Sequence, residues 1–179
     1  MLNLADRIDA GRLDASIAVV IGSNHKAAGI ERAKQRGLDV RVVPRKAFDS
    51  TETFSDAVWS ELRGAEVDLV VLAGFLSLLK IPDDYAGRVM NVHPALLPKF
   101  GGKGMYGRHV HEAVIAAGER ESGCTVHIAD NQYDHGPIVL QRRCEVRPDD
   151  TPETLAERVM AEERIAYPQA IQLFAEGKI

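Results

Sequence analysis

The sequence predicts an α/β fold, a doubly wound and mostly parallel sheet with a C-terminal antiparallel extension and a final helix. Short β-branched apolar runs alternate with amphipathic segments over residues 16–93. Continuous apolar runs are typical of parallel strands buried on both faces, and strand–helix alternation gives right-handed crossovers. After residue 120, two strand-like segments flank a polar loop, which indicates an antiparallel pair.

The individual elements follow from apolar periodicity and helix-capping residues. Residues 1–12 have the pattern of an amphipathic helix, although no capping residue precedes it. Strands are predicted at 16–21, 40–43, 67–73, 88–93, 124–129 and 138–146. Helices are predicted at 27–37 after a Gly22-Ser23-Asn24 turn and N-cap, from Ser50 or Thr51 to about 63, and at 109–117. A last helix starts at Thr151-Pro152, pauses near Tyr167-Pro168 and resumes to the end.

Length and composition predict one domain over residues 1–179. The chain is 45% hydrophobic and 27% charged, ordinary values for a globular protein. Its net charge of -4 argues against a general nucleic-acid or membrane surface but not against a local cationic pocket. No membrane-length apolar run or signal peptide is recognisable. Two cysteines without metal spacing favour a reducing, cytoplasmic setting.

One stretch, residues 91–99 (NVHPALLPK), places an amide and an imidazole two residues apart at the end of a predicted strand. Because side chains alternate along a strand, Asn91 and His93 lie on the same face. A hydrogen-bond donor beside a group that titrates near neutral pH suits carbonyl chemistry. The alternative is a buried histidine with a strand-capping asparagine. The position of the pair favours a functional site over this structural alternative. Residues 74–79 also follow an apolar strand, and ligands bind at the carboxyl ends of such strands.

Asp134 lies in a polar loop between the last two predicted strands. A carboxylate near His93 would favour the imidazolium form, orient the ring and help to move a proton from an attacking amine. The sequence does not show whether Asp134 reaches His93, and a turn aspartate is the alternative interpretation. His109 and His111 do not share a helix face, and no H-E-x-x-H or cysteine pair is present, so we expect no metal.

These residues carry a resemblance to the phosphoribosylglycinamide formyltransferases, folate-dependent enzymes of purine synthesis. It covers nearly the whole chain and rests on 91–99, 73–79 (AGFLSLL), 122–137 (SGCTVHIADNQYDHGP) and 162–168 (EERIAYP). The resemblance implies formyl transfer from 10-formyltetrahydrofolate to the amine of glycinamide ribonucleotide. It implies Asn91, His93 and Asp134 as catalytic residues and Glu163 as the acid that holds the substrate ribose. The folate site would comprise Leu76, Ser77, Leu78, Leu79, Asn91, Ala129, Asp130, Asn131 and Asp134.

The sequence departs from that pattern in three places. The first family strand and its phosphate-binding Gly-Ser/Thr loop are expected to be absent, which would leave two neighbouring strands without hydrogen-bond partners. Ser77 stands where an arginine is often found, so another cation is expected to hold the glutamate tail of the folate. The loop at 100–108 is longer than in the commonest members, and Lys103 or Arg108 is a candidate for meeting an anion.

Two other functions remain open at this point. A formyltetrahydrofolate deformylase would use water as acceptor, although such enzymes have His-His where this chain has His93-Pro94. An N-terminally truncated remnant would bind folate without turnover. The expected partners are small molecules only, without nucleic acid or membrane, and the expected state is a monomer or homodimer.

Overall fold

The computed structural model describes residues 1–179, except for the side chain of residue 28. Helix α1 (Leu2–Asp9) precedes an alternation of strands and helices: β1 (Val20–Gly22), α2 (Ala28–Gln35), β2 (Val40–Val42), α3 (Thr51–Gly64), β3 (Val70–Leu72) and β4 (Val89–His93). Helix α4 (Arg108–Ala116), strands β5 (Glu121–Ile128) and β6 (Ile138–Glu145), and helix α5 (Pro152–Ala175) follow. Short 3-10 turns lie at Arg45–Ala47 and Asp83–Tyr85. The order confirms the predicted α/β class.

The strands form two sheets rather than one. β1 pairs with β2 in parallel, and a second sheet has the order β3-β4-β5-β6. Within it β3 and β4 are parallel, whereas β5 is antiparallel to both β4 and β6. The predicted antiparallel extension is thus confirmed, and it places β5 directly beside β4.

An apolar cavity of about 500 Å³ is lined by residues flanking β1 and β3, with α1 and α5 contributing further apolar side chains. In the part of the chain that the structure describes, β1 pairs with β2 alone and β3 pairs with β4 alone. Within that part, each of these two strands therefore has one edge without a hydrogen-bonded neighbour. This agrees with the expectation of two neighbouring strands that lack a partner. The strands predicted at 16–21 and 67–73 are shorter than expected, with three residues each in a strand. A missing neighbour explains this, because strand residues are assigned by their hydrogen bonds to a paired strand.

Helix starts follow the capping residues, with one exception. The Ser50 hydroxyl accepts from the Thr53 amide at the start of α3, and Thr151 forms a capping box at the start of α5. The N-cap predicted at residues 22–24 is wrong. The Asn24 carboxamide accepts from the Lys26 amide instead, and α2 begins four residues after Asn24 without a side-chain cap. The first helix is also shorter than predicted, since it ends at Asp9.

The predicted pause in the last helix is wrong, because α5 runs unbroken through Pro168. A proline removes an amide, which leaves the carbonyl four residues earlier without its helical partner. That carbonyl, of Arg164, accepts hydrogen bonds from the Asn3 side-chain carboxamide at 2.9 Å and the Arg7 guanidinium at 3.2 Å. Contacts with α1 therefore compensate the proline and dock the two helices together. No helix in the described residues is long and apolar enough to cross a bilayer.

Two apolar cores pack against the four-stranded sheet. One joins the sheet to α4 and α5, and the other joins it to α3 around Phe54, Trp59 and Tyr85. The buried Tyr167 hydroxyl of α5 lies 2.8 Å from the carbonyls of both Leu72 and Met90. Because these carbonyls belong to β3 and β4, Tyr167 fixes α5 against the strands whose ends carry the candidate site.

Candidate active site

The predicted pair on β4 lies where the sequence placed it, at the carboxyl end of the strand. Parallel pairing sets Leu72 of β3 beside Asn91, so the loop at 74–79 leaves the sheet at the same edge. His93 is buried with 3% of its surface exposed, and Asn91 is half-buried. The i and i+2 spacing therefore brings an amide and an imidazole to the edge where α/β sheets bind ligands.

Asp134 reaches His93. Its Oδ2 lies 3.4 Å from His93 Nδ1, and the same oxygen accepts from the Gly102 amide at 2.9 Å. The turn interpretation is also correct, since Asp134 has a left-handed backbone with φ +52°, which aspartate tolerates better than most residues. Burial opposes ionisation of Asp134, but the nearby His127 and His93 imidazoles and the Gly102 amide outweigh it and hold the pKa of the carboxyl well below its ordinary value.

His127, which the sequence analysis did not select, completes the cluster. It is 1% exposed, and its Nε2 lies 3.1 Å from Asn91 Nδ2 and 3.7 Å from Asp134 Oδ1. Antiparallel pairing of β4 with β5 sets His127 directly opposite Asn91. The only sequence signal was a histidine inside an apolar strand. His127 joins Asn91 to Asp134, so the three predicted residues form one connected group.

The loop after residue 98 closes over the imidazole. His93 Nε2 lies 2.8 Å from the main-chain carbonyl of Phe100, whose φ of +56° is unusual for a non-glycine residue. Of the two cations suggested for an anion, Arg108 is already paired with Glu112 and Glu153. The sequence could not reveal the Phe100 contact, because it depends on a loop conformation.

The residues expected to form the folate site lie on two neighbouring segments. The side chain of Asn131 accepts from the Ile81 amide at 2.7 Å and donates to the Ile81 carbonyl at 3.3 Å. This joins the loop at 129–134 to the chain just after Leu79. Along the first segment Leu76 is 62% exposed, Leu79 is buried, and Ser77 and Leu78 are half-buried.

The second segment, residues 129–134, is held by one backbone hydrogen bond and by an ion pair of Asp130. The Ala129 amide donates to the Val89 carbonyl at 2.7 Å, and Asp130 Oδ2 lies 2.6 Å from His135 Nδ1. Burial raises the pKa of Asp130, but hydrogen bonds from His135 and the Gln132 amide, together with the charges of nearby histidines, outweigh it, so the pKa lies below its ordinary value. The arrangement leaves an exposed leucine and rigid backbone groups on the two sides of the candidate site.

Glu163 of α5 lies close enough to this cluster for its charge to interact with His93. Burial raises the pKa of its carboxyl from 4.5 to about 7, and the nearby His93 opposes this rise. His111 of α4 lies close to His93 as well: burial lowers its pKa, and its Nδ1 is buried without a hydrogen-bond partner in the described residues. Two carboxylates and one imidazole, from a loop and from α5 and α4, therefore lie near His93.

A comparison with family models matches residues 2–171 to the family described as formyl transferase, and the chain belongs to that family. It is 38% identical to a phosphoribosylglycinamide formyltransferase of Haemophilus influenzae, over 99% of this chain and 84% of that one. It is 37% identical to the trifunctional purine biosynthetic protein adenosine-3 of Drosophila melanogaster, but spans only 13% of that protein's length.

Solved structures give the same relation. Glycinamide ribonucleotide transformylase 1 from Symbiobacterium toebii superposes with a TM-score of 0.91 at 38% identity, over 98% of this chain and 81% of that one. A phosphoribosylglycinamide formyltransferase from Coxiella burnetii gives 0.87 at 36% identity, over 98% and 81%. These relatives carry transferase names, so neither the deformylase nor the inactive remnant is favoured.

Proposed function

We propose that this protein transfers the formyl group of 10-formyltetrahydrofolate to the amine of glycinamide ribonucleotide, a step of purine biosynthesis. The observation that carries the proposal is the connected cluster of Asn91, His93 and Asp134 at the carboxyl end of β4. Family membership and the names of the relatives support the same reaction.

The chemistry assigns a role to each member of the cluster. The amine attacks the formyl carbon, and the carbonyl oxygen becomes an oxyanion that the Asn91 amide and the His93 imidazole stabilise by hydrogen bonds. Ionised Asp134 orients His93 and helps to take the proton that the amine loses. Breaking the bond between the formyl carbon and N10 of the folate releases tetrahydrofolate, whose N10 gains a proton, and leaves the formylated product.

The binding residues follow from the two segments described above. We place the pterin between Leu76, Ser77, Leu78, Leu79 on one side and Ala129, Asp130, Asn131, Asp134 on the other, held largely by backbone groups. Glu163 would accept hydrogen bonds from the ribose hydroxyls of the acceptor substrate. Its burial beside His93 supports a position next to the reacting atoms.

We further propose that the protein acts in the cytoplasm as a monomer or homodimer, on small molecules rather than on nucleic acid or membranes. The support lies in the sequence, in its net charge of -4 and its two unpaired cysteines.

The test is a transfer assay with 10-formyltetrahydrofolate, in the presence and absence of glycinamide ribonucleotide. We expect product only with the amine, and we expect Asn91→Ala, His93→Ala and Asp134→Ala each to lower kcat by at least about 100-fold. His109→Ala, which removes an exposed histidine that also faces a carboxylate, is the matched control. Equal release of tetrahydrofolate without the amine would identify a hydrolase, and near-normal activity of Asp134→Ala would remove that residue from the mechanism.

A further inference from the structure

Both ring nitrogens of His93 are occupied inside the protein. Nδ1 faces the Asp134 carboxylate, and Nε2 lies 2.8 Å from the carbonyl of Phe100. A carbonyl oxygen only accepts hydrogen bonds, so Nε2 carries a proton and donates it to Phe100, just as Nδ1 must donate to the carboxylate. In this arrangement His93 has no free donor for a substrate, although the proposed reaction requires a donor at the formyl oxygen.

The contact with Phe100 is built at a conformational cost. Non-glycine residues with positive φ among those described are Glu66, Phe100 and Asp134, and two of these three belong to the His93 cluster. Such backbone strain persists only where the surroundings enforce it, and it concentrates at functional sites. Here the Phe100 ring packs against the core beneath α5, while the left-handed backbone turns the carbonyl toward the imidazole.

We propose that Phe100 is a positioning residue whose main-chain carbonyl occupies the place of the formyl oxygen on His93 Nε2 until the formyl donor binds. The inference rests on the proposed function, because it assigns the exchange to a formyl donor. The hydrogen bond from Nε2 to Phe100 breaks, and an equivalent one to the formyl oxygen forms. One carbonyl replaces another, so the imidazole keeps its proton and its orientation throughout.

Gly101 allows this exchange without dismantling the rest of the cluster. The carbonyl turns by rotation of the peptide plane between Phe100 and Gly101, and a residue without Cβ adopts the new φ most readily. A Cβ at Gly101 would lie 2.5 Å from the Leu97 side chain and 3.3 Å from the Asp134 Cβ, so a larger residue would displace Leu97 and crowd Asp134. The Gly102 amide lies beyond the rotating plane and stays on Asp134.

The direct test uses the wild-type protein with carbonyl-¹³C phenylalanine and a stable 10-formyl folate analogue. The Phe100 signal is assigned by its loss in Phe100→Leu. We expect it to move, on saturation with the analogue, toward the shift of a carbonyl without a hydrogen bond. An unmoved signal in the saturated protein overturns the proposal. Catalytic transfer is measured alongside on the same preparation without the analogue. Transfer together with an unmoved signal refutes only this inference, whereas absent transfer refutes the proposed function and the inference with it.

A matched pair of variants separates backbone geometry from side-chain anchoring. Leucine and isoleucine have the same atoms, but β-branched isoleucine strongly disfavours φ near +56°. We expect Phe100→Ile, and not Phe100→Leu, to lose protection of the His93 Nε2 proton from solvent exchange in the free protein. In the presence of donor, kcat of the two variants should agree within about threefold, because the formyl oxygen then supplies the acceptor. A tenfold or larger loss of kcat in the isoleucine variant alone would mean that the carbonyl stays on His93 during the reaction.

Discussion

Replacement of Glu163 by glutamine tests the electrostatic description of the site through stability. Burial raises the pKa of this carboxyl from 4.5 to about 7, so the folded protein binds the proton more tightly than the unfolded chain does. The unfolding free energy must then fall as pH rises from about 4.5 to 7. At about 1.4 kcal/mol for each pH unit, the ionised carboxylate destabilises the folded protein by about 3 kcal/mol above pH 7.

Glu163→Gln retains the shape of the side chain and removes this titration. We expect the variant and the wild type to have similar stability near pH 4.5 and the variant to be more stable by about 3 kcal/mol at pH 8. Denaturant unfolding at several pH values measures the difference. Taking the difference matters, because the lowered pKa of His111 gives a slope of opposite sign below pH 6.5 in both proteins.

The control is Glu157→Gln, which removes one negative charge from an exposed position on the same helix. A stability difference for Glu163→Gln that stays constant from pH 4.5 to 8 would refute the burial argument. A more stable variant that binds glycinamide ribonucleotide poorly would agree with it, because an acid kept for ribose binding is expected to reduce stability.

Three further substitutions probe the framework of the site. His127→Ala should lower kcat by at least about tenfold with little change in KM, because Asn91 loses its buried partner; steady-state kinetics with normal kcat would show that His127 is only structural. Thr125→Val removes a fully buried hydroxyl that makes three hydrogen bonds, and should reduce the unfolding free energy by about 2–3 kcal/mol in denaturant titrations. Gly136→Ala places a methyl group against the backbone at the end of β5, so a lower melting temperature and a displaced Asp134 are expected; unchanged activity and melting would contradict this.

Features determined by local chemistry were predictable from the sequence. The hydroxyl caps at Ser50 and Thr151 act within their own helix starts, so both helix beginnings were correct. The convergence of Asn91 and His93 follows from strand periodicity alone. Prediction failed where a contact with a residue distant in sequence determines the local structure. The predicted pause near Pro168 is wrong because side chains of α1 bond the carbonyl that the proline leaves free, and α5 continues.

The candidate site divides in the same way. The meeting of Asp134 with His93 needed the resemblance to a known family, since a carboxylate in a polar loop has many possible positions. His127 became visible only through the register of β4 and β5, which one-residue shifts would change completely. The contact of the Phe100 carbonyl with His93 depends on a left-handed backbone, which a phenylalanine in the sequence does not predict.

The cavity between β1 and β3 divides the molecule into parts that the hydrogen-bond ladder does not connect. All members of the proposed catalytic cluster lie on or beside the four-stranded sheet, which packs against α3, α4 and α5. The unit formed by β1, α2 and β2 is attached through side chains only: Ile21 packs against the core with α3, and Arg41 forms an ion pair with Glu61 of α3. Its amides should therefore exchange with solvent faster than those of β4 and β5, and it should open first on heating. Opening would expose adjacent strand edges, so loss of protein by self-association is expected to begin there rather than at the catalytic cluster.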